Sequence, residues 1–216
     1  ERRAAQAFKP RQDAEGAHHA GAVFALFRAA VGAGLRQDRR GEVELHREIA
    51  AELGPRLVNV LPGNDRWALG EQVDFFARAV ELADASDLHV CFEIHRGRSL
   101  YSPWVTLEVI RQVPELRFTS DISHWLVTCE RLLDDPADDL SAFVERVDHI
   151  QARVGYDQGP QVPHPGAPEY AEHLAFHQRH WERIWRSQEK RGRQVTTLTP
   201  EFGPDGYLHH LPFTDV

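Results

Sequence analysis

From residue 56 onward, short apolar runs alternate with amphipathic stretches, and that period limits the folds open to the chain. The run RLVNVLPG (56–63) precedes EQVDFFARAVELADAS (71–86), in which Val73, Phe76, Ala77, Val80 and Ala83 recur at helical spacing. LHVCFEIHRG (88–97) reads as a strand, and PWVTLEVIRQV (103–113) as a helix with Pro103 in its first turn. LRFTSDI (116–122) is the next strand, WLVTCERLL and DLSAFVERV are helical pieces, and DHIQARVG (148–155) is a further strand. Four prolines within 160–168 mark a loop, a long helix is expected over 168–190, and QVTTLTPEFGP (194–204) is the last strand. Strands that alternate with helices pair in parallel, so the five strands predict an α/β fold. Before Leu57 the chain reads mainly helical (AGAVFALFRAAVGAGL, VELHREIAAELG), with no strand pair evident.

Each predicted strand is apolar at its start and polar at its C-terminal end. Glu93, His95, Arg96 and Arg98 lie at one such end, and Asp121 and His124 at the next. His149, Gln151 and Arg153 follow, then Glu201. Because side chains alternate along a strand, Glu93 and His95 share one face opposite Phe92 and Ile94, and His149, Gln151 and Arg153 share another. Polar residues gathered at C-terminal strand ends form the active-site rim of a (β/α) barrel. Three carboxylates there repel one another unless a positive charge lies between them, and a divalent cation is the economical choice. Oxygen and imidazole donors suit Mg²⁺, Mn²⁺, Co²⁺ or Zn²⁺.

The net charge of −8 argues against a general nucleic-acid binder, which needs clustered Lys and Arg for phosphates. No apolar run approaches the ~18 residues of a membrane span, and no secretory signal opens the sequence, so a cytoplasmic protein is expected. Two cysteines, Cys91 and Cys129, are most simply reduced thiols. The sequence contains no methionine, even at position 1, and opens on a charged run. It is therefore read as part of a longer protein or as a chain that has lost residues.

The motifs FEIHRGR, SDISHW, HIQARVGYDQGPQVPHP and TPEFGP, taken in order, resemble the xylose isomerase-like TIM barrels, the sugar phosphate isomerase/epimerase superfamily. The resemblance spans roughly 45–212, and Glu93, Asp121 and His149 stand 28 residues apart, about one βα unit. It implies a single (β/α)8 TIM-barrel domain over 1–216, incomplete at its N-terminal strands, with 1–44 carrying no firm assignment. It also implies one divalent metal ion held by Glu93, Asp121 and Glu201, with a third-strand ligand that is either Gln151 or His149. Relatives commonly carry H-x-H on that strand, and this chain has glutamine at the second position. The implied reaction is metal-dependent isomerisation or epimerisation of a small sugar, sugar phosphate or related hydroxy-carbonyl compound. In it the metal clamps two adjacent substrate oxygens, and Glu93 and Glu201 act as base and acid on either side of an enediolate. Substrate contacts would come from His95, Arg96, His124, Arg153, Trp125 and Tyr156, the arginines suiting a phosphate or carboxylate.

Other signals weigh less. His173, His177 and His180 lie on one helical face without the glutamate of H-E-x-x-H, so solvated or packing roles are expected. DDPADD (134–139) reads as a capped loop, and GPQVPHPGAP as a rigid lid or subunit contact near the barrel mouth. The competing functional readings are a dehydratase or lyase, an endonuclease IV-like hydrolase, and a non-catalytic barrel. The partner expected is a small-molecule substrate, without nucleic acid or membrane. Five parallel strands leave open edges that a second copy or additional chain could cover.

Overall fold

A computed structural model describes residues 27–28, 55–86, 88–203, 207 and 213. Its strands are β1 (Phe27–Arg28), β2 (Val58–Leu61), β3 (Val90–Glu93), β4 (Phe118–Ser120), β5 (Val147–Ala152) and β6 (Thr197–Pro200). All neighbours are parallel, and the spatial order follows the chain from β1 to β6. The connecting helices are α1 (Leu69–Asp84), α2 (Pro103–Gln112), α3 (Ser123–Cys129), α4 (Ser141–Val144) and α5 (Ala171–Lys190), the last preceded by a 3-10 turn at Pro168–Tyr170. A sequential parallel sheet with helical crossovers is the architecture of a (β/α) barrel, here incomplete among the described residues. The five strands read from sequence are those found from β2 onward. The additional strand β1 lies within a segment read as helical; the rest of 1–54 is outside the described residues.

The elements form for local reasons. Helix α1 begins where the Glu71 carboxylate accepts the Ala68 backbone N–H at 2.8 Å, and it buries Phe76 edge-to-face on Phe92 of β3. Helix α2 starts on Pro103, whose missing N–H costs nothing in a first turn. The core lies between sheet and helices, where Phe92, Phe118 and Ile150 pack with Phe76, Val109, Phe143 and Ile184. Trp125 belongs to that core. It is fully buried, its indole N–H donates to the Leu100 carbonyl at 3.0 Å, and its ring lies 4.6 Å from that of Phe143. The expectation that Trp125 walls a substrate is corrected accordingly: α3 turns this face inward, so the tryptophan fills the core. Both cysteines are free, and none of the helices described is long and apolar enough to cross a membrane.

Candidate active site

The parallel strands point their C-terminal ends to one rim, and most of the singled-out polar residues meet there. Glu93 ends β3, Asp121 follows β4 directly, His124 lies in the first turn of α3, Gln151 is near the end of β5, and Glu201 follows β6. Between two of the carboxylates sits Arg153. Its Nη2 is 2.7 Å from Asp121 Oδ2 and 2.9 Å from Glu201 Oε1. Arg153 therefore forms a salt-bridged pair with each of them at the rim. It supplies a positive charge among the acids.

Asp121 is fully buried and fully engaged. Its Oδ1 accepts the Ser123 hydroxyl at 2.5 Å and the Ser123 N–H at 3.2 Å, while Oδ2 faces Arg153 and, at 3.3 Å, His124 Nε2. Burial alone would raise its pKa, but the His124 ring and the Arg153 guanidinium hold the carboxyl well below the usual carboxylate range. Those same acids push the Arg153 pKa up against the effect of burial. Glu201 is raised by burial and by Asp121, with Arg153 opposing, and its Oε2 has no hydrogen-bond partner among the described residues.

Glu93 is held differently, by neutral amides. Its Oε2 accepts Asn59 Nδ2 at 2.5 Å and Gln151 Nε2 at 3.1 Å. Burial, then the nearby Asp121 charge, raises its pKa from 4.5 to about 7, with Glu201 adding to the rise and the two amides opposing it. Gln151 rather than His149 therefore stands beside the carboxylates. His149 lies deeper in β5, where Nδ1 is 2.8 Å from the Thr197 hydroxyl and Nε2 is 3.2 Å from that of Thr199.

Next to Glu93, the His95 ring lies 3.7 Å from the His124 ring, centroid to centroid. Burial, then His124, lowers the His95 pKa to about 3, which keeps the imidazole neutral and able to ligate. Glu93, His95 and His124 bring one ligand atom each within 4.8 Å of one another. Asn59 Oδ1 and His124 Nδ1 are buried without hydrogen-bond partners among the described residues. A carboxylate and two imidazoles, one of them with an orphaned nitrogen, together with the orphaned Asn59 oxygen suit a borderline divalent cation. The group differs from the expected ligand set because Asp121 is turned to Ser123 and Arg153.

Two contributors were missed from sequence. Asn59 is a buried amide inside the apolar run of β2, and that break in pattern was its signal. Tyr207 lies over Arg153, 4.6 Å from guanidinium carbon to ring centroid, and 5.9 Å from that of Arg96; nothing local in the sequence marks it. Tyr156 is drawn elsewhere, packing its ring against Tyr170 and His173 at 5.6 and 6.2 Å. The proline-rich loop braces the rim. Gln161, fully buried, donates to the Gly203 carbonyl and accepts its N–H, both at 2.9 Å, fixing the segment that carries Glu201. The α5 histidines pack as expected: His180 meets the Ser120 hydroxyl at 3.0 Å, and His177 Nε2 accepts the Gly155 N–H at 3.2 Å.

A family model described as xylose isomerase-like TIM barrel matches residues 4–157. Among solved structures, the crystal structure of the probable 3-DHS dehydratase AsbF, involved in petrobactin synthesis in Bacillus anthracis, is similar. It has a TM-score of 0.54 and 15% sequence identity, covering 84% of this chain and 70% of that one. At that identity the likeness concerns the fold. No curated protein sequence matches the chain.

Proposed function

The chain belongs to the xylose isomerase-like TIM barrel family, and from that premise we propose that it is a metal-dependent isomerase or epimerase of a small sugar, sugar phosphate or related hydroxy-carbonyl compound. The observation that supports this reading is the gathering of Glu93, Asp121 and Glu201 at one rim, where Arg153 bridges Asp121 and Glu201 and the charges of Asp121 and Glu201 help to raise the Glu93 pKa. Arg153 holds Glu201 by Oε1, which leaves Oε2 to accept or return a proton. Asn59 and Gln151 hold Glu93 by Oε2 and fix its orientation without neutralising it. One glutamate removes the proton from the carbon beside the substrate carbonyl, and the other returns a proton across the resulting enediolate. Glu93, His95 and His124 would hold a divalent cation, whose chemistry is to polarise that carbonyl. Arg96 and Tyr207 form the outer wall beside Arg153. We place the protein in the cytoplasm, acting on a small molecule without nucleic acid or membrane, with a second copy able to cover the open sheet edges.

A dehydratase is the second reading, favoured by the likeness to a solved dehydratase of the same fold. It shares the first proton abstraction and then expels a β-hydroxyl instead of reprotonating. Incubation of the metal-loaded protein in D₂O with a panel of ketoses, aldoses and β-hydroxy ketones, followed by NMR, tests both. Deuterium at the carbon beside the carbonyl, with an isomerised product, is expected. Loss of water to a conjugated enone would assign the dehydratase reading, and no exchange with any substrate class would overturn the proposal.

A further inference from the structure

At the opposite rim, where the strands begin, three guanidiniums converge on one carboxylate. Asp148 near the start of β5 is 2.7 Å from Arg191 Nη1, 3.2 Å from Arg193 Nη1 and 4.0 Å from Arg117 Nε, with His89 Nε2 at 3.1 Å. The groups come from neighbouring elements: His89 precedes β3, Arg117 precedes β4, and Arg191 and Arg193 lead from α5 to β6. A register shift brings them together. Phe118 pairs with Val147 but Thr119 pairs with His149, so Asp148 is the additional residue of a bulge, a device that re-aims a side chain.

The ordinary role of such a cluster is to pin the end of α5 to the sheet, and Arg191 does this through the Val147 carbonyl at 2.7 Å. Among the described residues, however, the charge does not balance. One carboxylate faces three permanent cations, a net +2, and these arginines ion-pair with no other acid among the described residues. The Asp148 side chain is 2% exposed, whereas those of His89, Arg117, Arg191 and Arg193 are 27–43% exposed, so each of these four side chains is partly open to solvent. Arg193 Nε is itself buried with no acceptor among the described residues. His89, Cys91 and Asp148 come within 4.8 Å of one another, a spacing that suits a soft cation. Three guanidiniums repel a cation there, and burial pushes the Cys91 thiol pKa up, away from the thiolate that a metal needs.

We propose that this N-terminal rim is a binding site for a phosphate-type oxyanion, held by Arg117, Arg193 and His89 over guanidiniums that Asp148 fixes in place. Guanidinium forks match phosphate oxygens in pairs, and side chains already immobilised lose little freedom on binding. The site is distinct from the catalytic rim and takes its ligand whatever the reaction proves to be.

The test titrates the whole chain with inorganic phosphate at constant ionic strength, followed by calorimetry and by backbone amide NMR. Saturable binding is expected, with amide shifts gathered at residues 89–91, 117–118 and 191–193. Arg117→Gln removes the most loosely paired and most exposed of the three arginines, and so leaves the fold intact. It should weaken binding roughly tenfold, the loss of one charge-assisted contact. Arg111→Gln, on the surface of α2, should leave it unchanged. The proposal is overturned by non-saturating shifts, by an equal response in Arg117→Gln, by shifts confined to the catalytic rim, or by zinc binding that Cys91→Ser abolishes.

Discussion

Replacing Glu93 by glutamine should remove a loss of stability that develops as pH rises from 4.5 to about 7. Glu93 is buried, and burial together with the Asp121 charge lifts its pKa from 4.5 to about 7. A carboxyl whose folded pKa is raised binds more protons in the folded state than in the unfolded state between those two values. Its contribution is therefore neutral below about pH 4.5 and becomes a cost as pH rises toward 7. A shift of that size corresponds to about 3 kcal/mol at 1.36 kcal/mol per pH unit. Glu93→Gln keeps the shape and can still accept the Asn59 and Gln151 amides, but carries no charge to desolvate. Urea unfolding of both proteins in chelator, from pH 4 to 9, should show their curves separating. The variant gains about 3 kcal/mol over wild type by pH 8.5, most of it between pH 4.5 and 7. A saturating divalent cation should recover much of that cost in the wild type, by mass action on the folded state, and little in the variant. Parallel pH profiles for the two proteins would refute the reasoning, because the buried charge would then have no energetic consequence.

Arg153→Met removes the only cation bridging Asp121 and Glu201 among the described residues and leaves the fully buried Asp121 carboxylate with only His124 and Ser123 as partners. A loss of about 3–5 kcal/mol in denaturant unfolding is expected, with part regained by Asp121→Asn in the double variant. Trp125→Ala should cost about 3–5 kcal/mol as a core truncation while leaving metal content of the folded protein unchanged; loss of metal without loss of stability would return the residue to the site. Gly155→Ala would place its Cβ 2.6 Å from Ser123 Cβ and 2.8 Å from the Pro160 carbonyl, neither able to swing away. A drop of roughly 1–3 kcal/mol should appear as a lowered melting temperature.

The order of elements and the rim where the polar side chains gather were legible in the sequence, because both depend on local periodicity. An apolar run that turns polar at its end locates Glu93, Asp121, Gln151 and Glu201 on one edge of a parallel sheet before any contact is known. The same reading placed Asn59 in an ordinary strand, since an amide among valines and leucines shows its purpose only when its partner across the sheet is a carboxylate. Strand β1 was hidden by an alanine-rich context that favours helix, and pairing with β2 overrides that preference.

What the sequence alone determined is that charged groups would collect at the C-terminal ends of parallel strands, a consequence of a side-chain period of two within alternating βα units. What only the tertiary structure decided is how those charges are satisfied. Arg153 reaches across to Asp121 and Glu201 from the end of β5, Gln151 and Asn59 close on Glu93 from β5 and β2, and the His95 ring lies tilted against that of His124. These partners lie 29 to 58 residues apart along the chain or on different strands, and the free energy that selects among them is electrostatic and set by burial. No local pattern encodes burial of that kind, so the identity of the buried glutamate with the raised pKa and of its neighbours emerges only when the sheet curls and excludes water from the rim.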